Sequence, residues 1–311
     1  MRPKNSLRSI PLARERGINY IARMPRLPPW IRTNLRTDRG YARVDKLLSD
    51  LDLNTVCSSA RCPNRQECWN RATATIMIMG SRCTRDCAFC AVETGIPQPL
   101  ESGEPQRVAQ AARTLNLKHV VLTSVTRDDL PDGGAGHFAQ TIQAVKRECP
   151  GALVEVLTPD FLGKEDSITR VLESGPDIFN HNLETVRRLQ AGIRPQADYE
   201  RSLHVLRTAA AWGPSVRVKS GLMLGLGERE DELREALSDL RSAGCSLLTL
   251  GQYLAPTRSH HPVARFVTPG EFDAYRAMAE SMGFQGVASG ALVRSSYKAE
   301  ELAEAACAPT E

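Results

Sequence analysis

A chain of 311 residues, 41% hydrophobic and 24% charged, has the composition of a globular protein, and its length suits one large α/β domain or two smaller ones. It contains no apolar run near the roughly 18 residues of a membrane helix and no secretory signal, so we expect a cytoplasmic protein without a membrane span. In that reducing compartment, the 9 cysteines are expected to be metal ligands or buried thiols rather than disulfides.

The predicted first segment is a basic N-terminal arm, residues 1–50. Residues 1–46 hold 12 Lys/Arg and 3 Asp/Glu, although the net charge of the whole chain is only +4. Pro28, Pro29 and Trp30 favour an extended arm anchored by the aromatic ring. A solvated basic tail is the alternative. Nucleic-acid binding is not expected, because no basic patch with interleaved aromatic residues continues into the body of the chain.

Two groups of three cysteines follow. Residues 51–72 carry the pattern C-x4-C-x5-C, and residues 83–90 carry C-x3-C-x2-C in "CTRDCAFC". A structural zinc site prefers two close pairs that complete a tetrahedron. Three thiolates instead suit an iron–sulfur cubane with one open iron, which can bind a substrate. The isolated Cys149, Cys245 and Cys307 are expected to be inert thiols.

From residue 74 onward, apolar runs alternate with amphipathic helical patterns. The runs are "ATIMIMG" (74–80), "HVVLTSVT" (119–126), "ALVEVLTP" (152–159), "DIFNHNLE" (177–184), "SVRVKSGLMLG" (215–225) and "SLLTLGQYL" (246–254). Their nearly continuous apolar character is typical of strands buried on both faces. Six such units predict a parallel sheet, either a barrel or an open doubly wound sheet. Polar residues at the strand ends favour an incomplete barrel over residues 73–284.

The second cysteine group directly follows the first of these strands, and there the chain resembles the radical S-adenosylmethionine (SAM) enzymes. The resemblance implies an α/β fold, a partial (β/α)6 TIM-type barrel. It also implies that Cys83, Cys87 and Cys90 bind a [4Fe-4S] cluster whose open iron holds SAM. Reduction then cleaves SAM to a 5′-deoxyadenosyl radical, chemistry that side chains alone cannot perform. Phe89 is expected to shield one side of this cluster.

The C-terminal segment, residues 285–311, is predicted to form a strand followed by a polar turn, "VRSSYKA" (293–299). Together with the first cysteine group, and with "TSVTRDDLPDGG", "NHNLETV" and "KSGLMLGLGE" in between, it resembles the lipoyl synthase family. In that family an auxiliary [4Fe-4S] cluster is held by the chain extensions. The resemblance implies its ligands here: Cys57, Cys62, Cys68 and Ser296. Ser295 is the alternative for the fourth position.

The resemblance implies a sulfurtransferase that inserts two sulfur atoms, at the sixth and eighth carbons of a protein-bound N6-octanoyl-lysine. Its partners would be octanoylated lipoyl carrier domains, namely the E2 subunits of 2-oxoacid dehydrogenases and the H protein of glycine cleavage. An electron donor and a cluster-reassembly protein are also implied. Because such carriers tend to be acidic, the basic arm is a candidate docking element. The pair His260 and His261 lies in a later loop that could also contact the carrier.

Polar residues near the strand ends are candidates for binding SAM. The resemblance suggests Thr123 and Ser124 for its amino group, Asn180 and Glu184 for its ribose hydroxyls, and Arg194 and Lys219 for its carboxylate. Two simpler alternatives stay open: Lys219 pairs with a neighbouring acid, or Asn180 caps the following helix. Rival functions are an electron-transfer module, a sulfur-inserting enzyme similar to biotin synthase, and a zinc-stabilised interaction protein.

Overall fold

The computed structural model describes residues 27–31 and 39–305. Within these ranges the strands are β1 (Asn54–Thr55), β2 (Thr75–Ile78), β3 (Arg82–Cys83), β4 (Glu93–Thr94), β5 (His119–Ser124), β6 (Leu153–Leu157), β7 (Ile178–Asn180), β8 (Arg217–Leu224), β9 (Leu247–Gln252) and β10 (Gly286–Gly290). The α-helices are α1 (Arg39–Asp50), α2 (Val56–Ser59), α3 (Arg65–Asn70), α4 (Glu104–Thr114), α5 (Ala135–Glu148), α6 (Glu165–Glu173), α7 (Gln190–Ile193), α8 (Tyr199–Ala211), α9 (Glu230–Ser242), α10 (Pro269–Ser281) and α11 (Ala299–Ala305).

Eight strands form one sheet in the order β1-β2-β5-β6-β7-β8-β9-β10. From β2 to β10 every neighbouring pair is parallel, and β1 lies antiparallel at one edge. All six predicted strands are present, so the alternating βα pattern is confirmed. The six apolar runs do not include β10, the seventh parallel strand, which lies in the C-terminal segment where a strand was also predicted. Its sequence "GVASG" has small residues in place of an apolar run, so periodicity does not reveal it.

The two faces of this sheet differ in polarity. Alternate residues such as Ile76, Leu122, Val156 and Phe179 are fully buried in the main hydrophobic core. The strand register puts Thr75, Val121 and Glu155 side by side on the opposite face, which we call the inner face. Side chains alternate between the two faces along a strand, so residues two positions apart share a face. His119, two residues before Val121, therefore lies on the inner face. Asn180 and Lys219, which pair with each other, lie there as well, because Asn180 is aligned with the residue two positions after Glu155. A polar inner face between buried strands is where a barrel builds a site.

Local signals explain where the helices begin and end. Thr268 caps α10 by accepting a hydrogen bond from the Glu271 amide, and the Glu271 carboxylate accepts one from the Thr268 amide. Gly244 ends α9 with a φ of +88°, a left-handed conformation that glycine adopts without strain. In the parts of the chain that the structure describes, no helix has both the length and the apolarity to cross a membrane.

Most of the predicted basic arm, residues 1–26 and 32–38, and the cysteine at 307 lie outside the described residues. The aromatic anchor is inside them. Trp30 donates its indole hydrogen to the carbonyl oxygen of Val267, 3.2 Å away, and Ile31 is buried. The Pro-Pro-Trp segment is therefore attached to the loop that precedes α10.

Candidate functional site

The second cysteine group lies on the loop that leaves the carboxyl end of β2. Two backbone amides, those of Thr126 and Arg85, donate to the sulfur of Cys83 at 3.3 and 3.4 Å. Farther along the loop, His260 donates through Nε2 to the carbonyl oxygen of Cys90 at 3.0 Å. The amide of His261 donates to the carbonyl oxygen of Ala88 at 2.9 Å. Contacts from distant loops thus fix the cysteine loop, and these two histidines pack on it.

Arg85 ties the same loop to the barrel through buried charge. Its guanidinium lies 2.7 Å from Asp128 and 2.6 Å from Asp160, and the Arg85 and Asp160 side chains are 4% and 0% exposed. Asp160 also accepts from Arg201 at 2.8 Å. Burial alone would raise the pKa of Asp160, but the hydrogen bonds and charge of Arg85 outweigh it and hold that pKa well below its usual range. The loop is thereby cross-linked to the segments after β5 and β6.

Near this loop, the charges of Arg194 and Glu184 lie within range of each other and of Cys87. Arg194 is buried and donates to the carbonyl oxygens of Asn182 and Leu183 at 3.2 and 3.3 Å. Burial raises the pKa of Glu184, and the Arg194 cation opposes part of that shift. Burial also raises the pKa of the Cys87 thiol, and the same Arg194 cation opposes part of that shift. Arg194, Glu184 and Cys87 are therefore brought together, as binding of a zwitterionic ligand at the cluster would require.

Other predicted SAM contacts differ in how free their polar atoms are. Within the described structure, Ser124 Oγ and Asn180 Oδ1 are buried without a hydrogen-bond partner, as is His181 Nε2. Buried polar atoms normally have partners, so these three are available to a ligand. Thr123 is already engaged, because its hydroxyl donates to the Leu157 carbonyl at 3.1 Å.

Lys219 lies on the inner face, 1% exposed, and its ammonium has two hydrogen-bond acceptors. It donates to Glu155 Oε1 and to the Ser295 carbonyl oxygen, both at 2.7 Å. Glu155 also bonds to His119, 3.1 Å away. Burial opposes charge on Glu155, but Lys219 and then His119 outweigh it and lower the pKa of this carboxyl. This geometry favours the alternative for Lys219, pairing with a neighbouring acid, and directs it towards the C-terminal serines.

The first cysteine group and Ser296 line one cavity. The space between its walls, including open solvent, is about 770 Å³, and the walls also include Thr75, His119 and Arg294. Cys57 lies on α2, Cys68 on α3 and Cys62 between them, whereas Ser296 comes from the turn after β10. Segments more than two hundred residues apart therefore meet at this cavity.

Direct hydrogen bonds join these two segments. The Asn64 side chain donates to the Leu292 carbonyl at 2.6 Å, and the Tyr297 hydroxyl donates to Glu67 at 2.9 Å. Asn64 is buried, so its bond is shielded from water. These contacts position the serine turn over the three cysteines.

The two adjacent serines have different environments. Ser295 Oγ accepts from the Asn182 amide at 2.6 Å, and its carbonyl accepts from Lys219. Ser296 Oγ accepts from the Thr75 hydroxyl at 2.7 Å and faces the cysteine cavity. Of the two candidates, only Ser296 lines that cavity in the described structure.

Each cysteine group supplies three thiolates, which fits a [4Fe-4S] cluster with one further ligand. Among the described residues, no group of three His, Cys, Asp or Glu side chains is arranged to hold one metal ion. A cubane spreads its thiolates over separate irons, which requires a wider set. Burial raises the pKa of Cys68 and of Cys90 to about 12, so thiolates there depend on the positive charge of bound iron.

The two sites lie at opposite ends of the inner face. Cys83 follows the carboxyl end of β2, whereas Thr75 and His119, the first residues of β2 and β5, line the second cavity. A strand of four residues spans about 10 Å. The polar inner face lies between the two sites.

Comparison with known proteins identifies the family. Residues 77–240 match the model of the radical SAM superfamily, and residues 14–62 match that of the N-terminal domain of lipoyl synthase. The lipoyl synthase of Rubrobacter xylanophilus is 54% identical over 89% of this chain and 86% of its own length. That of Caldanaerobacter subterraneus is 54% identical over 88% and 96%. The chain belongs to the lipoyl synthase family.

Membership confirms the predicted activity and cofactors. A lipoyl synthase is a radical SAM enzyme that inserts sulfur to form the lipoyl group, and it uses SAM and two [4Fe-4S] clusters. Solved structures support the fold alone. A methylornithine synthase matches with a TM-score of 0.51 at 16% identity, covering 76% of this chain and 72% of its own. The FeFe-hydrogenase maturase of Carboxydothermus hydrogenoformans matches with 0.56 at 13%, covering 68% and 52%.

Sequence reasoning missed several residues that build the two sites. Arg85, Asp160 and His260 hold the radical-SAM loop, and Asn64 joins the segments of the second cavity. Each acts through a partner far away in the sequence, so no local spacing reveals it. A usable signal existed only for Arg85, a charged residue inside a ligand loop.

Proposed function

We propose that the two sites divide the reaction between them. Cys83, Cys87 and Cys90 would hold the cluster that cleaves SAM, and Cys57, Cys62, Cys68 and Ser296 would hold the cluster that donates sulfur. One observation carries this proposal: Ser296 and three cysteines from the other end of the chain line one cavity. A serine oxygen is a harder ligand than thiolate and leaves iron more readily, which suits a cluster that is consumed.

SAM would bind at the carboxyl end of the barrel. The Arg194 guanidinium would hold its carboxylate, and Glu184 would accept from ribose hydroxyls. The unpartnered Asn180 Oδ1 and Ser124 Oγ add two more polar contacts. Phe89 packs with Ile193 and Tyr253 and would shield the loop from water. We assign Lys219 to the Ser295 turn and not to the SAM carboxylate.

The substrate would be an octanoyl chain on a lysine of a carrier domain, lying along the inner face between the sites. When bound, the two clusters supply the electron that cleaves SAM and the sulfur that reaches the sixth and eighth carbons. The residues of the protein would align the octanoyl carbons between the two ends of the inner face. Burial of the inner face keeps water from the carbon radicals.

Lipoyl synthases act on lipoyl carrier proteins, and for this chain we propose the E2 subunits of 2-oxoacid dehydrogenases and the glycine-cleavage H protein. An electron donor and a cluster-reassembly protein would serve the two clusters. We propose a cytoplasmic location, which agrees with the absence of a disulfide among the eight described cysteines. The segments 1–50, 51–72, 73–284 and 285–311 remain a proposed division, in which the last segment supplies β10.

The test is an anaerobic assay with both clusters reconstituted, SAM, a reductant and an octanoyl-lysine peptide, followed by mass spectrometry. We expect 5′-deoxyadenosine and a peptide that gains two sulfurs. Ser296→Ala should keep SAM cleavage and lose sulfur insertion, whereas Ser295→Ala should retain most of both. Loss of insertion only in Ser295→Ala would move the ligand to that serine. Absence of SAM cleavage by an intact cluster would overturn the proposal.

A further inference from the structure

The Thr75 hydroxyl donates a hydrogen bond to Ser296 Oγ at 2.7 Å. Thr75 opens β2, is 5% exposed, and lines the cavity shared by Ser296 and the first cysteine group. We propose that Thr75 is a positioning residue that sets the strength of Ser296 as an iron ligand. This inference rests on the proposed function, because it requires Ser296 to bind iron.

The chemistry of serine makes such a partner useful. A neutral hydroxyl is a weak ligand, and its proton must leave as iron binds. A hydrogen bond donated to the resulting oxygen anion stabilises the charged form. Bonds to ionised oxygen are roughly twice as strong as those between neutral groups. The Thr75 hydroxyl would thus strengthen the serine–iron bond and delay its loss until sulfur is withdrawn.

Thr75 can act this way because both partners are held in place. Its backbone pairs with Val121 inside the sheet. The serine turn is held through Ser295, whose hydroxyl bonds to Asn182 and whose carbonyl bonds to Lys219. A Cβ on Gly221 would lie 2.9 Å from Asn182 Oδ1, so the glycine leaves room for this amide. Ser296 can therefore bind and release iron by a small side-chain motion, while the turn and Thr75 stay fixed.

A purely structural role for Thr75 predicts something different. Its hydroxyl would then only satisfy a buried neighbour, and its removal would loosen the cavity whether or not Ser296 is present. The two roles separate in a double-mutant cycle, because a residue that acts through Ser296 has no further effect once the serine oxygen is gone.

The experiment uses the full chain with Cys83, Cys87 and Cys90 replaced by alanine, so that iron resides only in the auxiliary cluster. The rate of iron transfer to a chelator and the Mössbauer spectrum of ⁵⁷Fe-loaded protein are measured. Loss of an outer partner typically lowers metal affinity roughly 10–100-fold. We expect Thr75→Val, which keeps the side-chain shape, to release the first iron about 10-fold faster and to alter the signal of one iron. Thr75→Ser should restore both.

In the Ser296→Ala background, Thr75→Val should add nothing, and an undiminished effect there would overturn the inference. The inference would also be overturned if Ser296→Ala changed iron release clearly and Thr75→Val did not. In that case the proposal that Ser296 binds iron would still stand. If Ser296→Ala itself changes neither iron release nor spectrum, the proposed ligand set fails first. Thr141→Val is the matched control, since Thr141 is buried and donates to a helix carbonyl in α5. It should match the parent.

Discussion

The two cysteine sites are built in different ways. The radical-SAM loop has its three cysteines within eight residues, and buried charges from neighbouring βα segments hold it. The auxiliary cavity takes three cysteines from before the barrel and a serine from after it, joined by a few hydrogen bonds. The first site is part of the barrel, and the second exists only where two chain segments meet.

This difference corresponds to the chemistry that we propose for each site. A cluster that cleaves SAM repeatedly returns to its starting state, so a rigid, charge-locked loop suits it. A cluster that gives up sulfur must be dismantled and rebuilt, which requires access and separable walls. The cavity is partly open to solvent, and Tyr297 and Glu67 meet at its exposed rim. Breaking each site separately should therefore have different consequences.

The largest effects should come from the ligands. Cys87→Ala should abolish SAM cleavage, because the cluster loses a thiolate. Cys62→Ala should leave reductive SAM cleavage in place and abolish sulfur insertion. Deoxyadenosine and sulfurated peptide are quantified by mass spectrometry. Cys149→Ala, at the end of α5, should match the parent in both products. Loss of deoxyadenosine in Cys62→Ala would show that the two sites are not independent.

The next largest effect should come from the buried ion pairs that Arg85 makes with Asp128 and Asp160 in the radical-SAM loop. Arg85→Met leaves the buried carboxylate of Asp160 without its main partner and should lower the free energy of unfolding by about 3–5 kcal/mol. Denaturant unfolding of the cluster-free chain measures it. Arg82→Met is the control from the same loop. Its pair with Glu93 is exposed, at 46% and 63%, so the loss should be about 0–1 kcal/mol. Equal losses of unfolding free energy in the two variants would show that burial does not strengthen the Arg85 ion pairs.

The buried His181 should make this end of the barrel sensitive to acid. Burial, followed by the Arg194 and Arg85 cations, lowers the pKa of His181 to about 4, although Asp160 opposes the shift. The histidine of the unfolded chain protonates near its ordinary pKa of about 6.5, so stability is present above that pH and falls as the pH drops towards 4. From about pH 7 to about pH 5 the loss should be roughly 2 kcal/mol.

His181→Gln removes the titrating group and should flatten this part of the stability profile of the cluster-free chain. His204→Gln is the control, because His204 is half-exposed and pairs with the exposed Glu165. A profile unchanged by His181→Gln would assign the acid sensitivity to other groups.

Local patterns reveal local structure, and the comparison of the two sites shows the limit. Ligand spacing and apolar runs predict the radical-SAM loop and six strands, because those signals lie within a few residues. The Ser296 expectation needed a family resemblance, since nothing near the serine points to three cysteines far upstream. The direction of Lys219 depends on the registers of β6 with β7 and of β7 with β8, which bring Glu155 near it. A single sequence does not state that register.

The smallest predicted effect concerns the bond that closes the auxiliary cavity. Burial, and then the carboxylate of Glu67, raises the pKa of Tyr297 to about 12, so its hydroxyl stays protonated and donates to Glu67 at neutral pH. Tyr297→Phe removes that bond, worth about 1 kcal/mol, and should speed auxiliary iron loss roughly fivefold while SAM cleavage is unchanged. Tyr275→Phe is the control, because the hydroxyl of Tyr275 accepts a hydrogen bond from Arg265 and does not line the auxiliary cavity. Slower SAM cleavage in Tyr297→Phe would mean that closure of the serine turn also organises the radical-SAM end, and the two sites would then act as one unit.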